Sequence, residues 1–312
     1  MSITVEPYDA SLRDVWTDVV RRVRQPHFLF ERGYMDYHAD RFPDASLLVL
    51  RKGTPVGAVV ASRRGDEVVS HGGLTFGGLI SDASLTTAAA VEAMGLAATA
   101  YRAAGARSWS YKAVPHIYHE VPAEEDLFAL VTLGARLQAR HVSSAVPAGG
   151  PVEYSSERRR AVRRGGAAEL ELVRCDDFEE FMELEREVLL RRHGVEPVHT
   201  AHEMRLLADR FPEQIALHVA REDGAIVAGV LVFATPVVAH AQYIGASERG
   251  RELRAGDALF DHLIREVYTT TPWFDFGISN ERDGTLNAGL ARNKEGFGAR
   301  AVVYDRYALD LG

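Results

Sequence analysis

The sequence has almost no cysteine and no long apolar segment. Its single cysteine among 312 residues, Cys175, excludes an internal disulfide and a metal site built on several thiolates. No apolar run reaches the ~18 residues that a membrane span requires, and the longest run, around Gly229–Ala239, has the length of a strand. The first residues, MSITVEPYDA, lack the basic and apolar regions of a signal peptide. We therefore expect a cytoplasmic protein that does not enter a membrane.

The composition is that of an ordinary globular protein. Hydrophobic residues make up 46% of the chain and charged residues 26%, which argues against long disordered regions. A length of 312 residues exceeds what one hydrophobic core usually organises, so two domains are expected. The net charge of −8 gives no support for broad nucleic-acid binding.

One segment runs against this acidic balance. Residues 157–166, ERRRAVRRGG, place five arginines within a few helical turns, at positions 158, 159, 160, 163 and 164. The run is either a solvated helix start at a domain junction or a phosphate clamp, because the guanidinium fork matches phosphate oxygens. The sequence leaves both interpretations open.

The two halves of the chain resemble each other. SLLVLRKGTPVGAVVASRRGDEVVSHGGLTFGGL begins at Ser46, and IALHVAREDGAIVAGVLVFATPVVAHAQYIGAS begins at Ile215. Each segment has an apolar strand, a charged turn with glycine, further apolar strands and a V-V-x-H ending that places His71 and His240 in register. Gly-Ala-Arg then recurs at 134–136 and 298–300. We interpret the chain as a tandem duplication.

Each half is predicted to follow the order β–α–α–β–β–β–α–β–α–β, an α/β fold with a mixed sheet flanked by helices. The Pro/Gly-rich stretch VPAGGPVE at 146–153 marks the boundary, giving domains 1–150 and 151–312. The predicted helices of the second half are 155–165, 176–192, 199–211, 255–268 and 287–293. Its predicted strands are 169–174, 215–221, 226–235, 237–246, 273–278 and 301–309.

The C-terminal residues carry a family resemblance. Asp275-Phe276-Gly277 ends a predicted strand, and Lys294-Glu295-Gly296-Phe297-Gly298 forms a glycine-rich turn after a short helix. With the order of elements, these motifs resemble the GNAT (N-acetyltransferase) superfamily and, more narrowly, its Fem-like branch of tandem-GNAT peptidyltransferases. The topological resemblance covers nearly the whole chain, and the sequence match is specific over about the last forty residues.

The resemblance implies two tandem GNAT-like domains and an acyltransferase. The donor would be acyl-CoA or aminoacyl-tRNA, so a tRNA acceptor end is a possible partner. The acceptor would be a small amine or amino-acid-like molecule bound in the interdomain cleft. No serine elbow or cysteine nucleophile is evident, which favours direct attack on the donor. The alternative is a non-catalytic protein that binds a small ligand and retains the duplicated fold.

In GNAT folds the donor lies between two splayed parallel strands, which would be 237–246 and 273–278 here. Lys294 matches a lysine that is implicated in the transfer step of Fem relatives, the alternative being a surface lysine. His240 is a candidate general base because its ordinary pKa lies near neutral pH, but a hydrogen-bonded core histidine is equally expected. Asp275 either orients the amine, acts as base, or ties its strand to the next loop. The expected substrate-binding residues on these strands are Gln242, Tyr243, Ser279 and Asn280.

Donor phosphates are expected at the loop Glu248–Gly256. The superfamily's pyrophosphate loop reads Q/R-x-x-G-x-G/A, and this loop retains Arg251, Arg254 and Gly256 with what we take as a stretched spacing. A helix N-terminus beside two arginines is an anion site on physical grounds. Arg158, Arg159 and Arg160 lie where Fem-like proteins have a basic helix that contacts substrate phosphates.

The first half has a polar cluster of its own. Lys112, His116, Tyr118 and His119 follow a predicted strand end that would face the cleft, and we expect them to bind the acceptor. His116, His119 and Glu120 raise the question of a metal, but their segment is not convincingly helical and no cysteine assists, so no metal is expected. His199 is a further expected wall of the acceptor pocket.

Overall fold

The structure is a computed structural model that describes residues 2–147 and 152–312. The chain divides into two compact units: residues up to His141 with Val303–Gly312 form unit 1, and Val142–Val302 form unit 2. The strands are β1 (Ile3–Pro7), β2 (Leu47–Arg51), β3 (Thr54–Val60), β4 (Ser62–Arg64), β5 (Glu67–Val69), β6 (Gly78–Ser81), β7 (Ser108–Lys112), β8 (Arg136–Pro147), β9 (Glu171–Cys175), β10 (Ile215–Glu222), β11 (Ala225–Ala234), β12 (Val238–Ala246), β13 (Trp273–Ile278) and β14 (Arg300–Asp310). The α-helices are α1 (Arg13–Val20), α2 (Arg32–Met35), α3 (Thr87–Ala103), α4 (Glu125–Thr132), α5 (Ser156–Gly166), α6 (Phe178–His193), α7 (Ala201–Arg210), α8 (Glu248–Leu253), α9 (Ala255–His262) and α10 (Ala288–Glu295).

Unit 1 contains an antiparallel sheet of order β1-β2-β3-β6. The short β4–β5 hairpin follows β3, and β5 pairs in parallel with β7, which pairs antiparallel with β14. The alanine-rich face of α3 packs on the core of this unit through small side chains such as Ala93 and Ala97. Removal of this apolar surface from water is the main force that holds the layers together.

Unit 2 is built around the antiparallel run β9-β10-β11-β12. Its next strand, β13, is parallel to β12, and the connection between them passes through α8 and α9. The second half of β8 completes the sheet beside β13. Phe260, Phe274, Phe276 and Phe297 form the aromatic centre of the core under these strands.

The two units have the same order of elements, which confirms the tandem GNAT-type fold expected from the sequence. Each has a strand, two helices, an antiparallel meander, a helical connection, a further strand, a helix and a final strand. Gly134 (φ 85°) and Gly298 (φ 82°) both adopt the left-handed conformation just before the final strand. This conformation is disfavoured for residues with a Cβ atom and explains why Gly-Ala-Arg recurs there.

The histidine register between the halves is wrong. His240 lies in β12, which pairs with β11, and the strand that pairs with β3 in the same way is β6. His71 precedes β6 and follows the additional β4–β5 hairpin, so the V-V-x-H similarity matches strands with different pairing.

The expected boundary near residue 150 includes residues 148–151, which lie outside the described part of the chain. The segment Glu248–Leu253, expected as a loop, forms the short helix α8.

Candidate functional site

Unit 2 has a split in its sheet where two parallel strands part. β12 and β13 are paired over three residues each, Val238–His240 against Trp273–Asp275. Beyond His240 and Asp275 the strands continue, to Ala246 and to Ile278, with no further pairing between them, while β12 still pairs with β11 and β13 with β8. Facing strand edges that do not pair with each other leave room and free backbone groups for a ligand between them.

A histidine and a carboxylate lie at the point where the strands part. His240 Nδ1 is 2.9 Å from Asp275 Oδ2, and the His240 side chain is 12% exposed whereas Asp275 is fully buried. On its other oxygen, Asp275 accepts hydrogen bonds from Ser143 Oγ at 2.5 Å and from the Gly277 backbone amide at 3.1 Å. The carboxylate is therefore fixed and holds one ring nitrogen of His240, so that Nε2 is the ring nitrogen that Asp275 does not engage.

Lys294 lies beside this pair rather than on the surface. Its ammonium group donates to the backbone carbonyls of Gly277 and Ile278, both at 2.7 Å, and the residue is 4% exposed. Burial lowers the pKa of Lys294 to about 8, and the charge of Asp275 opposes that shift. Gly277 has φ 77°, so Lys294 binds the irregular turn with which β13 ends.

Gln242 and Tyr243 lie further along β12. The pairing of β12 with β11 shifts between Leu231 and Val232, which makes Gln242 the extra residue of a β-bulge. Because His240 pairs with Phe233 and Tyr243 with Leu231, the bulge puts the buried Tyr243 on the same face of the sheet as His240, and the Tyr243 hydroxyl lies 2.7 Å from His199 Nδ1. The structure thus brings Gln242 near the split and places Tyr243 with His199.

Ser279 and Asn280 follow the end of β13. Ser279 is fully buried, and its backbone amide donates to Val142 O at 2.8 Å. The Asn280 side chain accepts from the Val142 amide at 2.7 Å and donates to Gly284 O at 2.8 Å. Both residues connect the segment after β13 to β8. The Asn280 side chain bonds only to backbone groups in these contacts, so its observed role is structural.

The arginines expected to bind phosphate divide into two groups. Arg158 pairs with Asp257 and lies over the Phe297 ring, Arg159 donates to Tyr154 O, and Arg251 donates to Ala246 O. Arg160 and Arg254 form no salt bridge among the described residues, and they line a cavity of about 230 Å³ together with Arg158 and Arg164. Gly256 lies in the first turn of α9, and a Cβ atom at this position would meet none of the described atoms within 4 Å.

The segment before α9, most of which is α8, has the spacing of the pyrophosphate motif after all. Arg251, Arg254 and Gly256 stand at its first, fourth and sixth positions, so an arginine replaces the first glycine. Arg254 has φ 61°, the left-handed conformation that a glycine adopts at least cost. The expectation of a stretched spacing is therefore wrong.

The four candidates of the first half lie in unit 1. Lys112 donates to the backbone carbonyls of His71, at 2.8 Å, and of Leu74, and burial lowers its pKa to about 7. Tyr118 is buried and shares a hydrogen bond with Tyr304 at 3.0 Å. His119 is half-buried and bonds to Val114 O at 3.2 Å, while His116 is exposed. That these residues bind the acceptor stays a prediction.

The described residues contain neither a metal-binding cluster nor a membrane-spanning helix. Within 2–147 and 152–312, no group of three His, Cys, Asp or Glu side chains is arranged to hold a metal ion. No helix in these ranges combines the length and apolar character needed to span a bilayer.

Sequence reasoning missed Ser143, Arg164 and Asn293. Ser143 is one of two adjacent serines in β8 and lies 132 residues from the Asp275 that it contacts, so no local pattern links the two. Arg164 was one of five similar arginines, and only its position four residues after Arg160 indicates that the two share a helix face. Asn293 lies at the end of a short helix where nothing in the sequence sets it apart from its polar neighbours.

Comparison with known proteins supports this description. Residues 153–283 match the family model of the acetyltransferase (GNAT) domain. No curated protein matches the sequence significantly. Among solved structures, FemX has a TM-score of 0.70 at 11% identity, with 98% of this chain and 97% of FemX covered. L-PGS from Bacillus licheniformis has a TM-score of 0.61 at 13% identity, covering 98% and 93% of the two chains.

A tandem GNAT protein from the clavulanic acid biosynthesis pathway is also similar, with a TM-score of 0.53 at 13% identity over 100% of this chain and 99% of that one. At such identities these similarities concern the fold. The chain therefore carries a GNAT domain in residues 153–283 and has the tandem GNAT fold of Fem-like proteins.

Proposed function

We propose that this chain is an N-acyltransferase. It transfers an activated acyl or aminoacyl group from acyl-CoA or aminoacyl-tRNA to a small amine or amino-acid-like acceptor. The observation that carries the proposal is the His240–Asp275 pair at the point where β12 and β13 part. The GNAT domain match spans both of these strands, which supports the assignment of the reaction class.

The chemistry follows from the geometry of the pair. Because Asp275 Oδ2 holds His240 Nδ1, the Nε2 atom is the one available to accept a proton from the attacking amine. The amine nitrogen then bonds to the acyl carbon, and the C–S bond of a thioester or the C–O bond of an aminoacyl ester breaks. The proton held by His240 passes to the leaving thiolate or ribose oxygen, which balances the reaction.

Two neighbouring features assist this step. The bulge at Gln242, two residues beyond His240 on β12, takes backbone groups out of the regular ladder, where donors stabilise negative charge that develops on the acyl oxygen. Lys294 fixes the end of β13 through Gly277 O and Ile278 O and so maintains the gap that receives the acyl group. Both roles depend on position, since a small misplacement of reacting groups is costly in rate.

The test is a transfer assay with purified protein. Radiolabelled acetyl-CoA and a set of aminoacyl-tRNAs are supplied with a panel of amines and amino acids, and acylated products are separated and counted. With an active pair identified, His240→Gln is expected to lower kcat about 100-fold or more, as the loss of a general base does. KM for the donor should change little.

His218→Gln is the matched control. His218 is another buried histidine of unit 2, hydrogen-bonded to Tyr268 at 2.9 Å, and burial lowers its pKa to about 4. It should retain the parental rate. A His240→Gln protein that turns over within a few-fold of the parent would remove His240 from the chemistry. Donor binding without any transfer would favour the non-catalytic ligand-binding alternative.

A further inference from the structure

A buried serine completes the group of side chains at the split in unit 2. Ser143 lies in β8, opposite Ile278 in the ladder with β13, and it is fully buried. Its hydroxyl donates to Asp275 Oδ1 at 2.5 Å, while Asp275 Oδ2 lies 2.9 Å from His240 Nδ1. The hydrogen bonds therefore run from β8 through β13 to β12, where they end at the candidate base.

The carboxylate of Asp275 depends on hydrogen-bond donors because it has no access to solvent. Its side chain is 0% exposed, and an ionised carboxylate in such surroundings is unfavourable unless it is paired and hydrogen-bonded. Ser143 and the Gly277 amide both donate to Oδ1, and hydrogen bonds to the charged form lower the proton affinity of a carboxylate. A substitution at Ser143 removes one of these donors without changing the His240–Asp275 pair itself.

The same hydrogen bond affects the proton affinity of His240. A donor to Oδ1 neutralises part of the negative charge of Asp275 that would otherwise stabilise a protonated imidazole ring. Without this donor, the pair as a whole binds its extra proton more tightly, since a carboxylate with fewer donors gains more from a neighbouring imidazolium. His240 would then stay protonated, and unable to accept a proton from the amine, up to a higher pH.

Other ionisable side chains face the pair from neighbouring elements. Lys294 reaches the end of β13 from α10, and its charge interacts with that of Asp275. Tyr243 lies on the same face of β12 as the pair and contacts His199. Glu185 of α6 is buried against the same strand. All of these groups stay in place when Ser143 alone is replaced, so they act equally on the proteins that the test compares.

We propose that Ser143 is a positioning residue that keeps Asp275 ionised and oriented, and thereby sets the pH range in which His240 acts as a base. This inference rests on the proposed function, because it assigns Ser143 a part in the same transfer step. Ser143 acts through Asp275 rather than on the substrate, so its effect does not depend on which acyl group is transferred.

The first test compares the pH profiles of kcat/KM for transfer in the wild type and in Ser143→Ala. The acidic limb of the profile should move to higher pH by roughly half a unit to one unit, because one hydrogen bond to the carboxylate is lost. Above this limb the rate should stay within about threefold of the parent, since His240 retains its contact with Asp275. A loss of packing alone would lower the rate by the same factor at every pH. An unmoved limb would therefore overturn the proposal.

Ser144→Ala is the matched control. Ser144 is the next residue of β8 and is 4% exposed, but successive side chains of a strand point to opposite faces. Its variant loses the same hydroxyl from the same strand and should keep the parental pH profile. Ser143→Cys retains a side chain of similar size that donates only weakly, so its limb should lie between those of the wild type and Ser143→Ala. Equal shifts in Ser143→Ala and Ser144→Ala would contradict the assignment.

The second test follows the protonation of His240 by NMR, without any transfer. In protein labelled with ¹³C in its histidine rings, the His240 signal is the one missing from the His240→Gln spectrum. The titration midpoint of this signal should be higher in Ser143→Ala by the same roughly half a unit to one unit and unchanged in Ser144→Ala. If Ser143→Ala does not fold, Ser143→Cys carries both measurements, with a smaller shift in the same direction.

The two tests separate this inference from the proposed function. An unchanged midpoint in a Ser143 variant of a protein that transfers acyl groups would overturn the role of Ser143 and leave the acyltransferase assignment standing. A raised midpoint in a protein for which the assay finds no transfer would support the effect of Ser143 on the pair, while the acyltransferase assignment alone would fail.

Discussion

At the scale of single residues, the same side-chain type has different roles according to what it contacts. Lys294 donates to two backbone carbonyls next to the His240–Asp275 pair, and Lys112 donates to two carbonyls in unit 1. Both lysines are largely buried, and burial lowers the pKa of each. Each ammonium therefore holds an irregular backbone segment in place at an electrostatic cost.

Replacing Lys294 by methionine should affect both stability and rate. The change leaves the carbonyls of Gly277 and Ile278 without their donor, which costs about 1–3 kcal/mol of unfolding free energy. Because the end of β13 is then free to move, kcat should fall while KM for the donor changes little. Urea denaturation and steady-state kinetics measure the two effects. An unchanged unfolding midpoint would show that the two hydrogen bonds are dispensable.

The pH dependence of stability provides a second test of Lys294. Its pKa in the folded protein is about 8, below the 10.5 of an exposed lysine. Between these values the unfolded chain binds more protons than the folded one, so the wild type gains stability as pH rises through this range. The difference in unfolding free energy between wild type and Lys294→Met should therefore shift in favour of the wild type from pH 8 to pH 10. If the difference in unfolding free energy did not change with pH, the pKa of Lys294 would be the same in the folded and unfolded chains, as for a lysine exposed to water.

At the scale of elements, α5 determines where the arginine side chains lie. Gly165 faces the turn before α9 so closely that a Cβ atom would come within 2.5 Å of Arg254 O and 3.0 Å of Ala258 Cβ. At Gly166, the next residue, a Cβ atom would meet none of the described atoms within 4 Å. The absence of a side chain at Gly165 therefore permits close packing of α5 on α9, whereas at Gly166 it does not affect the packing.

Gly165→Ala should push α5 away from α9. We expect a loss of about 1–3 kcal/mol of unfolding free energy, as overpacking of a tight contact causes. Gly166→Ala is the control and should be neutral or stabilising by up to about 1 kcal/mol, since alanine reduces the entropy lost on folding. Thermal unfolding of both variants measures the difference in stability. Similar values for the two would mean that α5 is not held at Gly165.

At the scale of the whole molecule, the two units share an order of elements but differ at the gap that separates β12 from β13 in unit 2. In unit 1, β6 pairs with β3, and β7 pairs with β5 and β14. The Tyr111 hydroxyl accepts from the Leu79 amide at 2.8 Å and donates to Asp126 at 2.5 Å. In unit 1, this buried side chain thus bridges β6 and β7, the strands that correspond in order to β12 and β13 of unit 2. Burial raises the pKa of Asp126 to about 7.

One donor should therefore bind per chain rather than two. Titration of the wild type with the donor identified in the transfer assay should give a stoichiometry of one. A stoichiometry of two would show that the Tyr111 position in unit 1 also accepts a donor.

The sequence by itself determined the fold class, the duplication and the GNAT resemblance. These depend on local patterns, namely apolar periodicity, turn glycines such as Gly134 and Gly298, and the Lys294–Gly298 turn, which neighbouring residues enforce through backbone conformation. The helices α5, α7 and α10 were predicted to within about two residues for the same reason.

Only the tertiary structure decided which side chains meet. His240 contacts Asp275 across 35 residues and Asp275 contacts Ser143 across 132, because the sheet order brings β8, β12 and β13 together. Within one arginine run, Arg158 is largely buried against Phe297 and pairs with Asp257, whereas Arg160 is exposed. Local sequence cannot distinguish such residues, since their environments are set by elements that pack on α5 from about 100 or more positions away along the chain.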